Sequence, residues 1–140
     1  MNQEEKIQKL YMEFQLLSNT IKQLEKQHTM LENQLMEMVS TNQSLEDMKK
    51  VKSGTEILVP LSSGIYIKAE VKESSNFIVN IGSGIALNKD ISATKKIIEE
   101  QILEIRNMRG NLAEELQSNA EKAESIEKEM KKIASTVKED

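Results

Sequence analysis

Apolar residues recur at alternating steps of three and four along the first third of the chain: Ile7, Leu10, Phe14, Leu17, Ile21, Leu24, His28, Leu31, Leu35, Met38, Asn42 and Leu45. Only His28 and Asn42 are polar. The alternation returns near the other end as Ile98, Ile102, Ile105, Arg109, Leu112, Leu116, Asn119, Ala123, Ile126, Met130, Ile133 and Val137, broken only by Arg109 and Asn119. A mean step of 3.5 held this long keeps every member on one narrow helical stripe, the seam of a coiled coil. The first helix is predicted over residues 3–51, ending at Lys52, Ser53 and Gly54, where a glycine can take the left-handed cap. The second is predicted over 90–138 with Asp90 as its N-cap. Each would be about 70 Å long at 1.5 Å per residue.

Between residues 55 and 88 the period falls to two. Ile65, Ile67, Ala69 and Val71 alternate with Tyr66, Lys68, Glu70 and Lys72, the pattern of a half-buried strand. Val59-Pro60-Leu61-Ser62-Ser63-Gly64-Ile65-Tyr66-Ile67-Lys68 is echoed twenty residues on by Val79-Asn80-Ile81-Gly82-Ser83-Gly84-Ile85-Ala86-Leu87-Asn88. Each copy reads as strand, Ser-Gly turn, strand, with Gly64, Gly82 and Gly84 free to take the positive φ of tight hairpins.

Matched helix lengths suit an antiparallel pairing within the chain, favoured over pairing with another chain because the connection is short and structured. Four short strands have exposed edges and no second apolar layer, so they need other subunits. The buried face expected for that assembly is Ile57, Val59, Ile65, Ile67, Val71, Phe77, Val79, Ile81 and Ile85. Val39, Met48, Ile97 and Leu103, apolar but off the seam, are expected to pack against the sheet or a neighbouring subunit.

The 140 residues carry 3% aromatics, one proline and 30% charge, which fits an elongated molecule better than a compact core. There is no cysteine, hence no disulfide framework and no thiolate chemistry. No apolar run reaches the roughly 20 residues of a membrane span. The first nine residues are not signal-like. A soluble, unprocessed, cytosolic chain is expected. The net charge of −4, with lysines interleaved among glutamates, offers no basic field for nucleic acid.

Candidate chemistry is sparse. His28 lies in mid-seam far from any carboxylate cluster, as a register device or alternatively a pH-sensitive weak point. Asn42 and Asn119 read as register devices too. The carboxylates fall on outward helix positions beside lysines, a solvated face and not a catalytic pair. Gly82-Ser83-Gly84 lacks the spacing and following helix of a phosphate loop, and the Asn42-Gln43-Ser44 glycosylation triplet lies inside the coil. Neither an enzyme nor a cofactor or metal site is expected. Tyr11, Met12 and Leu16 are more informative, as apolar residues off the seam near a helix end. They are either ordinary exposed hydrophobes or an adaptable binding surface. Gly110, in mid-helix, costs about 1 kcal/mol relative to alanine and marks a flexible point.

The order helix, two hairpins, helix resembles the α-class subunit of prefoldin, above all in Glu56-Ile57-Leu58-Val59-Pro60-Leu61, Ile67-Lys68-Ala69-Glu70 and Val79-Asn80-Ile81-Gly82-Ser83-Gly84. The fold it implies is mainly α with a small β segment: an antiparallel coiled-coil hairpin joined by two β-hairpins that assemble into an intersubunit β-barrel. The resemblance implies an ATP-independent chaperone subunit in a hexamer of two α and four β subunits. Its partners would be β-class subunits, a second copy of itself, unfolded client proteins and a group II chaperonin. Clients would be held at the coiled-coil tips, carried onto this chain as Ile7, Leu10, Tyr11, Met12, Phe14, Met130, Ile133 and Val137. A filament-forming relative and a coiled-coil spacer without client binding are the alternatives.

Overall fold

The computed structural model describes residues 2–139, and side-chain surroundings for residues 2–136. The elements run α1 (Gln3–Met48), β1 (Glu56–Ser62), β2 (Ile65–Glu70), β3 (Asn76–Gly82), β4 (Ile85–Asp90) and α2 (Ile91–Glu139). The chain divides into two compact units, Met1–Gln34 with Ile105–Asp140, and Leu35–Glu104.

The helix boundaries follow from local chemistry. Asn2 caps α1 by accepting the Glu5 N–H at 2.9 Å. At the other end α1 tightens into successive three-residue turns, Lys49 N–H to Glu46 C=O, Lys50 to Asp47 and Val51 to Met48. This makes the regular helix stop at Met48, three residues before the Val51 expected from sequence. Asp90 caps α2 as expected, its Oδ1 accepting the Ala93 N–H at 2.7 Å. Thr94, the one buried polar residue among those described, returns its hydroxyl to the Asp90 carbonyl at 2.7 Å.

In the first unit both helix segments present their seams to each other. One groove brings Leu10 beside Ile133, a second Leu17 beside Ile126, and a third Leu31 beside Leu112. As one number rises by seven the other falls by seven, so these segments are antiparallel in constant register. Every described seam residue of the chain is at least partly covered, but only Leu24, Ile105 and Ala123 in this unit are buried. Two helices have no second layer to close over a seam.

The second unit buries Leu35, Leu45, Val71 and Ile102. An ion pair between Glu46 and Lys95 ties α1 to α2, and the same carboxylate accepts from Lys49 at 3.1 Å. Being partly exposed, the pair contributes at most about 1 kcal/mol. Each hairpin is its own antiparallel two-stranded sheet, β1 with β2 and β3 with β4. The registers repeat twenty residues apart: Ile57 opposes Ala69 as Phe77 opposes Lys89, and Val59 opposes Ile67 as Val79 opposes Leu87. Both ladders shift by one residue at the same place, Pro60/Ser62 and Asn80/Gly82, so Leu61 and Ile81 are the extra residues of matching bulges.

The turns differ despite this repeat. Gly64 alone takes positive φ (79°) in the first, whereas Gly82, Ser83 and Gly84 all do in the second (104°, 54° and 75°). Positive φ at both Ser83 and Gly84 matches a type I′ turn, whose twist suits a hairpin. Asn80 Oδ1 supports it by accepting the Gly82 N–H at 2.9 Å. The first hairpin is fastened at its open end, where Gly54 N–H donates to Val71 C=O (2.7 Å), Val71 N–H to Thr55 C=O (2.9 Å) and the Ser53 hydroxyl to Lys72 C=O (2.5 Å).

Two glycines give opposite expectations. A Cβ at Gly110 meets open space in a helical backbone, so Gly110→Ala raises stability by about 1 kcal/mol. Gly84 also has open space but φ of +75°, so Gly84→Ala costs about 1 kcal/mol. Urea midpoints of the two variants against the parent chain check both signs.

Candidate interaction surfaces

The first candidate surface is the helix-end region of the first unit. Ile7, Leu10 and Phe14 on α1 and Met130 and Ile133 on α2 are half-buried seam residues. The side chain of Val137 lies outside the described residues. Tyr11, Met12 and Leu16 point away from the seam and are 55, 68 and 67% exposed. The Tyr11 hydroxyl accepts from Gln15 on the next turn at 3.0 Å, leaving the ring face free. Two grooves lie one heptad apart along the same flank and share Glu13, one with Lys6, Lys9, Glu129 and Lys132 around Leu10 and Ile133, the other with Leu16 beside Leu17 and Ile126. Apolar floor and mixed-charge rim make a surface that can accept apolar segments without a fixed shape.

The second is the pair of hairpins. Ile57, Val59, Ile65, Ile67, Ile81 and Ile85 are exposed, and Phe77 and Val79 half-buried. Val71 is already buried within the chain, just beyond β2, and has the least left to offer a partner. Leu58, Leu61, Tyr66, Ile78 and Leu87 are also exposed and lie outside the expected assembly set; Tyr66 is on the outer face that the alternation gave it. Both faces of the first hairpin are open, while Phe77 and Val79 are half-covered on one face of the second. Of the off-seam residues expected to pack near the sheet, Ile97 and Met48 are half-buried while Val39 and Leu103 remain exposed.

Sequence reasoning also missed a mid-helix patch in the first unit. Met30 and Met108 flank a groove of ≈ 360 Å³ with Gln27, Leu31, Gln34, Asn111 and Leu112. Met30 is 69% exposed. Applying the test used for Tyr11, Met12 and Leu16, apolar residues at outward heptad positions, would have found both methionines.

The polar seam residues make no catalytic arrangement. His28 Nδ1 lies 3.9 Å from Glu32 one turn on. Asn119, level with Leu24 on the register above, donates back to the Glu115 carbonyl at 2.9 Å and makes no bond across the seam. Asn42 Oδ1 is buried without a partner. Among the described residues no three His, Asp or Glu side chains converge as for a metal ion, and no helix is long and apolar enough to cross a membrane.

Two long seamed helices around a duplicated hairpin are matched by the family model for the prefoldin subunit over residues 17–135. The chain belongs to the prefoldin family. Among the relatives of this prefoldin subunit, the prefoldin α subunit of Pyrococcus horikoshii is 30% identical over 113 residues, covering 77% of this chain and 76% of that protein. That of Methanococcus vannielii is 23% identical over 133 residues, covering 95% and 89%. The cryo-EM structure of filamentous prefoldin from Methanocaldococcus jannaschii shares the fold, with a TM-score of 0.72 at 20% identity over 80% of this chain and 93% of that one. The prefoldin here is thus of the α type and a chaperone-type subunit, in a family whose members form oligomeric complexes with other prefoldin subunits. No catalytic family is indicated by these matches.

The orphaned Asn42 oxygen generates a prediction for this prefoldin seam. Asn42→Leu removes an unpaired buried acceptor and adds apolar contact, so stability rises by about 1–3 kcal/mol. Thermal or urea unfolding reads it; a loss of stability would mean that Asn42 makes a necessary bond.

Proposed function

We propose that this chain is the α subunit of an ATP-independent, cytosolic chaperone that holds non-native proteins at the ends of its coiled coils and passes them to a group II chaperonin. The complex on this reading is a hexamer of two α and four β-class subunits joined through the hairpins. Ile7, Leu10, Tyr11, Met12, Phe14, Met130, Ile133 and Val137 form the client surface, and Ile57, Val59, Ile65, Ile67, Val71, Phe77, Val79, Ile81 and Ile85 the assembly surface.

The observation that carries the client-binding part is the exposure of Tyr11, Met12 and Leu16, three large apolar side chains within two turns on outward helix positions. Side chains there contribute little to the seam. Unfolded chains expose apolar segments of varied shape, and flexible methionine and aromatic side chains suit such partners. ATP has no role in this scheme because capture and release need only weak, multiple apolar contacts.

A second reading is a homopolymeric filament, favoured by the filamentous assembly of the Methanocaldococcus jannaschii relative and by the open faces and edges of both hairpins. An aggregation-suppression assay on a thermally unfolding client, with the chain alone and mixed with β-class subunits, separates these readings. Suppression that requires the mixture supports the hexamer; suppression by open-ended polymers of the chain alone supports the filament. In the active form, the triple substitution Tyr11→Ser, Met12→Ser and Leu16→Ser should leave stability within about 0.5 kcal/mol per site, since each is exposed. It should reduce suppression several-fold. Unchanged suppression in that variant and in a chain lacking residues 1–15 and 126–140 would sink the client-surface assignment.

A further inference from the structure

We propose that Met12 is a site of reversible oxidation by hydroperoxides, and that its sulfoxide withdraws the outward face of α1 near its start from apolar clients. This rests on the reading of Tyr11, Met12 and Leu16 as client-facing and names a regulation of that surface.

The chain has eight methionines and no cysteine, so all of its sulfur is thioether. A thioether lone pair attacks one oxygen of a hydroperoxide, forming the S–O bond as the O–O bond breaks. With hydrogen peroxide the departing hydroxide takes up the proton left on the transferred oxygen and leaves as water. Sulfur gives up two electrons and the peroxide receives them, so no further reactant is needed. A sulfoxide reductase with a dithiol reverses the step: the oxygen leaves as water and the dithiol becomes a disulfide.

The fold sorts the methionines by access. Among those described, Met12, Met30 and Met36 are 68, 69 and 70% exposed, whereas Met38, Met48 and Met130 are half-buried. Oxidation follows exposure, so the first three should react alike and first. What changes depends on where each lies. Met30 walls the mid-helix groove of the first unit and Met36 belongs to the second unit. Of the three, Met12 alone lies within the proposed client surface.

Met12 and Leu16 are one turn apart on α1, neighbours on one helix face, with Tyr11 beside them. Oxidation turns the middle member of this apolar group into a polar one with a strong hydrogen-bond acceptor. Gln8 and Lys9, four and three residues earlier, are exposed donors on the preceding turn. An apolar segment settling there must strip the sulfoxide of water or of those donors, which opposes binding. The fold is spared, because Met12 stands outside the seam. Oxidation of Met130, half-covered in the seam, would instead strike the helix pair. Exposure therefore separates loss of client binding from loss of stability.

The test oxidises the full chain by itself with hydrogen peroxide, removes the peroxide, and only then forms the active assembly, so that no methionine of another subunit reacts. Peptide mass mapping should show Met12, Met30 and Met36 each gaining an oxygen atom ahead of Met38, Met48 and Met130, with the urea midpoint unmoved. Suppression of client aggregation should fall several-fold and return after treatment with a methionine sulfoxide reductase and dithiothreitol. Each variant is compared with its own unoxidised form. Met30→Leu and Met36→Leu should lose as much on oxidation as the parent chain, and Met12→Leu little. Undiminished suppression with Met12 fully oxidised, or an equal loss in Met12→Leu, would overturn the switch; so would Met12 staying reduced while Met30 and Met36 react. Absence of suppression by the unoxidised parent chain in every assembly is a separate result, which sinks the client reading and the switch with it.

Discussion

A two-stranded β-hairpin has two free edges and two faces, and no amount of side-chain choice lets it cover them itself. Everything distinctive in this chain answers that constraint. The second unit closes only around Leu35, Leu45, Val71 and Ile102, while Ile57, Leu58, Val59, Leu61, Ile65 and Ile67 of the first hairpin lie open. At about 25 cal/mol per Å² of apolar surface, covering these residues is a favourable term to set against the roughly 4–15 kcal/mol that association costs. The proposed assembly through the hairpins would give these apolar residues the cover that the chain itself does not supply, and the duplication doubles the surface that one chain would bring to it.

The helices obey the same limit in a milder form. A seam between two helices half-covers its residues, and among the described residues of the first unit only Leu24, Ile105 and Ala123 are buried. Half-covered Ile7, Leu10, Phe14, Met130 and Ile133 cost little to uncover, since terminal turns are the least stable part of any helix pair. Beside them Tyr11 and Met12 are exposed from the outset. Weak seam and free hydrophobes in one place suit transient contact with many apolar segments. Seam residues such as Leu35 and Leu45, better covered, suit permanence.

Most of the architecture was legible because heptad and two-residue periods are dictated by which side must be covered. Both seams were traceable residue by residue, and Asp90 and Gly64 announced a cap and a turn through their chemistry. The sequence pattern carries α1 to Val51, three residues beyond its end at Met48, because a tightening last turn leaves no mark in the apolar pattern. Leu58 and Ile78 escape the pattern for a related reason. Alternation shows that two faces differ, and cannot show that both lack cover. The shift in register at Leu61 and Ile81 was likewise invisible, since a bulge is a property of a pair of strands. Antiparallel pairing could be argued from the matched helices, but its register needed Leu10 to be seen beside Ile133.

The central claim is that the hairpins are finished by other subunits while the helix ends stay open. Amide hydrogen exchange, followed residue by residue on the chain alone and after assembly with β-class subunits, measures it most directly. The account predicts fast exchange across Glu56–Asp90 in the isolated chain at high dilution and strong protection after assembly, with the first turns of α1 remaining fast in both. Hairpin amides already as protected in the isolated chain as those around Leu24 and Ile105, or unchanged by assembly, would contradict it.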